Sequence, residues 1–227
     1  MTTADFYRTL REGVRSFPAG RRAMASEKQF AERVMLAVTE VNGCALCSQG
    51  HTAWALEAGL SEHEVADLLS GAGDEAVPPE HAVGVAFAQH YADTAGRPTR
   101  PAWDRVVATY GPGRAASILG WIRMIHVGNA AGIPLSAFRA RRQGEPDPRS
   151  SLLYELGTTV GNVLVAPVAL GHALLDRVLG RPLLTTVEPA QPNRPSTSTG
   201  PWVSKSARTA EARSSSRRNS SATRARP

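Results

Sequence analysis

SEKQFAERVMLAVTEVNGCALCSQGHTAWALEAGL, residues 26–60, decides the fold class. Ser26-Glu27-Lys28-Gln29 reads as a capping box, in which the serine hydroxyl accepts from the third backbone amide while Gln29 reaches back. Phe30, Val34, Leu36, Val38 and Val41 follow at roughly helical spacing, and Asn42-Gly43 breaks the run. A second helix is predicted from near Cys44 to Gly59, whose missing Cβ suits the residue after a helix end.

The same punctuation continues outward. Ser61-Glu62-His63-Glu64 is another capping box, and Gly71 closes that short helix. Pro78-Pro79-Glu80 opens a long helix through Phe87 and Tyr91 to Gly96; Pro101, Pro112 or Gly113, and Pro134 each begin another. Strand alternation does not recur, and no repeat of fixed period stands out. The expected body is all-α, over residues 1–150.

Two further regions follow. In 151–188 an apolar extension is predicted, and Leu156 to Leu175 lacks any Asp, Glu, Lys or Arg. Length and charge permit a membrane helix there, with Gly157 and Gly161 spaced as in packed membrane pairs. Against this, Asn162, Pro167 and His172 interrupt the run. Leu153, Leu156, Val160, Val163 or Leu164, Pro167, Gly171 and Leu174 trace a stripe suited to packed soluble helices, broken near Pro167. Membrane contact through 151–175 is the alternative. Residues 189–227, rich in Ser, Thr, Pro and Arg, cannot bury enough apolar surface to offset about 1–2 kcal/mol of backbone entropy per residue, and are expected to be disordered.

Composition narrows the function. Apolar residues make up 42% of 227 and charged residues 20%, enough for a sizeable core. Residues 1–188 hold 18 of the 26 Lys and Arg and 19 of the 20 Asp and Glu, leaving that part at −1 and the tail at +7. A basic nucleic-acid-binding body is excluded, though a basic arm is not. Met1 to Phe17 has no apolar run of signal-peptide length, and two cysteines are too few for a secreted disulfide scaffold. The expected compartment is the reducing cytoplasm.

Those two cysteines carry the chemistry. Glu32, Cys44, Cys47 and His51 stand in a Glu-x11-Cys-x2-Cys-x3-His pattern. If Cys44 begins a helix, positions 44, 47 and 51 share one face, the thiols within disulfide reach and His51 one turn beyond Cys47. Glu32, on the preceding helix, is placed to orient or charge-balance the imidazole. A thiolate is the nucleophile in redox chemistry, and a free thiol is mostly protonated at neutral pH. A helix N-terminus favours the anion at Cys44, whereas His51 is a base for Cys47. The second argument makes Cys47 the attacking thiol and Cys44 the resolving one, without closing the first.

Alternatives accompany this reading. The pair also fits two buried thiols of no redox role, a redox sensor on a non-enzymatic or membrane-tethered helical module, or a zinc site with Glu32 as fourth ligand. Covalent haem is excluded by Ser48, where a histidine must stand. No cofactor or metal is expected. Glu40 rivals Glu32 but reads as a solvated helix-end carboxylate. His63, His81, His90 and His172 read as surface or satisfied side chains, and His126, three before Asn129, as a hydrogen-bonded core residue or pocket group. Trp54, Trp103 and Trp121 are expected in the core or a subunit interface, and Arg139, Arg141 and Arg142 on a solvated face.

At this spacing the chain resembles the alkylhydroperoxidase D-like, or carboxymuconolactone decarboxylase-like, family. The resemblance rests on Glu32, Cys44, Cys47 and His51 and on their surroundings, Asn42-Gly43-Cys44-Ala45-Leu46-Cys47 and His51-Thr52-Ala53, and extends loosely over residues 4–140. It implies an all-helical fold assembling as trimers or hexamers. It also implies reduction of hydroperoxides through a dithiol–disulfide cycle, with a lipoylated or thioredoxin-like dithiol protein as donor. One position departs: the best-studied peroxidase branch has histidine immediately before the second cysteine, and here Leu46 stands there. The decarboxylase branch proper lacks the cysteine pair.

Overall fold

The computed structural model describes residues 1–71, 77–181 and 183–184. Among them are seven helices and no strand, the all-α architecture expected: α1 (Thr3–Met24), α2 (Lys28–Asn42), α3 (Ala45–Glu57), α4 (Glu62–Ser70), α5 (Pro79–Asp93), α6 (Arg100–Arg142) and α7 (Leu152–Val178). The expectation for 189–227 lies outside the described residues.

Helix α2 is the centre of the bundle. Phe30 to Thr39 are all buried, so the helix is covered on every side, by α3 and α4, by α5 and by α6. Each fully buried Val, Leu, Ile or Phe here contributes about 1.5–3 kcal/mol of burial free energy. Leu68, Phe87, Tyr91, Ile118, Leu119, Trp121 and Ile122 complete the core. The indole nitrogen of Trp121 donates to the Gly20 carbonyl at 2.8 Å, where α1 and α6 make a close approach. Trp54, by contrast, is 52% exposed and fills no core position.

Most helix boundaries follow their local signals. Gly43 ends α2 in the left-handed conformation (φ 70°), Gly71 ends α4, and Ser61 accepts from the Glu64 amide at 3.2 Å. Where a tertiary partner competes, the local signal loses. Ser26 does not cap α2, since its hydroxyl donates back to the Ala23 carbonyl at the end of α1 at 3.2 Å; Glu27 holds the N-cap position of α2 and its carboxylate pairs with Arg114, while Gln29 donates to the Ala58 carbonyl.

The prolines divide in the same way. Pro79 and Pro101 sit in first turns, and Gly111 (φ 74°, ψ 164°) kinks α6 just before Pro112. Pro134 does not start a helix and Pro167 does not break one; α6 and α7 run through them. A proline removes one backbone hydrogen bond and crowds the preceding turn, a local cost that packing on both sides of it can exceed.

Helix α7 lies on α1 and α6. Arg11 donates to Asp176 at 2.6 and 2.8 Å, Tyr7 meets His172, and Arg141 bonds both oxygens of Glu155 at 2.8 and 2.9 Å. Arg141 is therefore a docking residue and not part of a solvated face. The apolar stripe predicted to pack points the other way: Leu153, Leu156, Val160, Val163, Leu164 and Leu174 are all exposed.

Candidate functional site

The turn at Asn42-Gly43 brings the end of α2 against the start of α3, and this places the motif. Cys44 is the N-cap of α3 (φ −85°, ψ 98°), and its Sγ accepts the Cys47 amide at 3.3 Å. The helix N-terminus thus aims one of its unpaired donors at that sulfur, an arrangement that favours a thiolate once the pair is reduced. Cys44 and Cys47 are joined as a disulfide, with Cα atoms 5.3 Å apart. Cys44 is 1% exposed, whereas Cys47 is only half-buried.

One turn further on, His51 is buried on the same helix. Its Nδ1 lies 2.8 Å from Oε2 of Glu32, itself 3% exposed on α2. With the carboxylate accepting, Nδ1 carries the proton and Nε2 is left as the basic nitrogen. The Trp54 ring stands edge-on to the imidazole, centroids 5.0 Å apart. All four motif residues are therefore gathered at the α2–α3 corner. Glu40, the rival carboxylate, is half-buried near the end of α2, and the carboxylate that meets His51 belongs to Glu32.

Helix α6 closes the site from above. A cleft of about 630 Å³ runs over Glu32 and His51, walled by Met24, Met35, Trp54, Met124, Ile125 and Gly128, with Arg21, Lys28 and Glu57 at its rim. Four residues past Gly128, Gly132 faces the sulfurs directly. A Cβ there would stand 2.8 Å from Cys44 Sγ and 2.9 Å from Cys47 Sγ. The sequence reading missed Gly132; its only signal is a second small residue one turn after Gly128 in an apolar helix.

The other histidines lie apart from this corner. His126 is 2% exposed, edge-on to Tyr91 at 5.6 Å, and burial pushes its pKa down to about 4. It is a core residue as expected, but its Nδ1 has no hydrogen-bond partner among the described residues. His81 stacks on Phe30 at 4.1 Å, and His90 takes the Thr99 amide at 3.1 Å; burial lowers the pKa of both. Among the described residues, no group of three or more His, Cys, Asp and Glu side chains is arranged to hold a metal ion.

No curated protein and no solved structure matches the chain. A family model does, over residues 17–87, the stretch that carries Glu32, Cys44, Cys47 and His51. That model is of the carboxymuconolactone decarboxylase family, so this segment is similar to that family in motif and in helical architecture.

Proposed function

We propose that the protein is a thiol peroxidase that reduces hydroperoxides through the Cys44–Cys47 pair. The supporting observation is the His51–Glu32 contact at 2.8 Å, one helical turn from Cys47 and open to a cleft. The family contains enzymes, and a decarboxylation route gives the two sulfurs no role. The greater exposure of Cys47 favours it as the attacking thiol.

The cycle starts from the disulfide, which a dithiol donor reduces with two electrons and two protons. His51 Nε2 takes the Cys47 thiol proton, and Glu32 balances the imidazolium through Nδ1–H. The Cys47 thiolate attacks the terminal peroxide oxygen. The O–O bond breaks, a sulfenic acid forms on Cys47, and the departing alkoxide takes the proton back from His51 as an alcohol. Cys44 then attacks the Cys47 sulfur, closing the disulfide and releasing water. In sum, a hydroperoxide and a dithiol give an alcohol, water and a disulfide.

The donor is a lipoylated or thioredoxin-like protein on this reading, and the compartment is the reducing cytoplasm. Cys44→Ser and Cys47→Ser, made singly, are to be assayed for cumene hydroperoxide consumption with dithiothreitol as donor. Each is expected to lose turnover by at least about 100-fold, with Cys47→Ser alone losing the sulfenic acid seen as a mass shift. Turnover unchanged in both variants overturns the proposal.

A further inference from the structure

Helix α7 is inverted. Its inward seam is small or polar: Glu155, Thr158, Asn162, Ala169, Ala173 and Asp176 are buried. Its large aliphatic side chains face away, with Leu153 84% exposed, Val163 and Leu164 69% and Leu174 64%. Outer positions Leu153, Leu156, Val160, Val163, Leu170 and Leu174 advance in alternating steps of three and four, with Pro167 filling the remaining place. That is the 3.5-residue spacing by which one helix meets another. Over a helix of about 40 Å, these side chains expose about 700 Å² of apolar surface, from their fractional exposures. A monomer's largest patch is about 300–600 Å², and one partner of a standard interface contributes about 800 Å².

We infer that this seam is the contact face for α7 of a second copy of the chain. Membrane insertion conflicts with the inward side, where the Glu155–Arg141 and Asp176–Arg11 pairs pin both ends of α7 to α6 and α1. Entering hydrocarbon would mean breaking these ion pairs, whose carboxylates are buried, or drawing both neighbouring helices in as well. A helix lying on a lipid surface carries Lys or Arg along the rim of its apolar face; α7 has only Arg177, at its last turn. Beyond Glu188 the sequence has Trp202 and Val203 as its only large apolar residues, too few to match a seam of this length. A copy of the seam itself is a self-complementary partner of the right length and period. The seam lies outside residues 17–87, so the family match does not supply this contact.

The full chain is to be examined by sedimentation velocity from about 1 to 100 μM, as wild type and as Val163→Glu/Leu174→Glu. The wild type is expected to self-associate, and the variant to weaken association at least about 100-fold with unchanged helical circular dichroism. Val163 lies at the midpoint of the seam, so it meets its twin in either a parallel or an antiparallel pair. Val163→Cys in a Cys44→Ser/Cys47→Ser background is therefore expected to cross-link as a dimer on mild oxidation, which keeps the test decisive if the charged variant misfolds. A wild type monomeric throughout, an oligomer indifferent to the charges, or a monomer that pellets with phosphatidylserine vesicles overturns the inference.

Discussion

Replacing Gly132 with alanine isolates the contact between α6 and the two sulfurs. The new methyl would sit 2.8 and 2.9 Å from Cys44 Sγ and Cys47 Sγ, closer than a real Cβ sits to any heavy atom. Neither sulfur can yield alone, because the disulfide ties each to the other and Cys44 is sealed in the core. Overpacking of this kind costs about 1–3 kcal/mol. Alanine in a helix interior returns about 1 kcal/mol, equally in both redox states. Reduction frees each thiol to rotate about χ1, so the clash falls mainly on the oxidised form.

The variant's reduction potential is therefore expected to rise by about 20–60 mV, since 30 mV corresponds to about 1.4 kcal/mol for two electrons. Its oxidised form is expected to melt at or below the wild-type temperature and its reduced form slightly above it. Equilibration against graded dithiothreitol buffers, with thiols counted by mass after alkylation, reads the potential. A potential within about 10 mV of wild type, together with equal stabilisation of both forms, would refute the placement of Gly132 over the pair.

Two further outcomes follow from buried groups. Glu32→Gln keeps an acceptor for His51 Nδ1 but removes the charge that balances the imidazolium, and peroxide turnover is expected to fall about 10- to 100-fold with the melting temperature nearly unchanged; a full-rate variant refutes the pairing's role. Burial lowers the pKa of His126 to about 4, with Arg8 and Arg123 acting in the same direction and Asp5 opposing, so the unfolded chain binds its proton first. Stability is then complete above about pH 6.5 and declines towards pH 4, and His126→Leu is expected to lose a fall of roughly 3 kcal/mol across that window in urea titrations. Parallel pH curves for wild type and variant would contradict it.

Legibility in the sequence tracked the range of the forces involved. Gly43, Ser61, Gly71, Pro79 and Pro101 act within one turn, and each marks the boundary its chemistry suggests. Ser26 misled because the competing partner of Glu27, Arg114, arrives from another helix. In α7 the periodicity named the residues that share a face, but not which way the face turns; that was fixed by Arg11 and Arg141 reaching for Asp176 and Glu155. The Glu-Cys-Cys-His motif was readable because Cys44, Cys47 and His51 lie within two turns at the start of one helix, and Glu32 just across a tight turn.

Chemistry and access thus come from different parts of the chain. Glu32, Cys44, Cys47 and His51 sit on α2 and at the start of α3, inside the family-matched segment, where a tight turn sets their relation. The room above the sulfurs and one wall of the cleft come from α6, at Gly128 and Gly132, outside that segment. The same turn of α6 is held from its other side, where the Asn162 amide of α7 donates to the Ala130 carbonyl at 3.4 Å. A side chain larger than hydrogen at position 132 must displace either the disulfide or a helix turn that α7 holds in place. Helix α7 therefore bears mechanically on the turn of α6 that faces the cysteine pair.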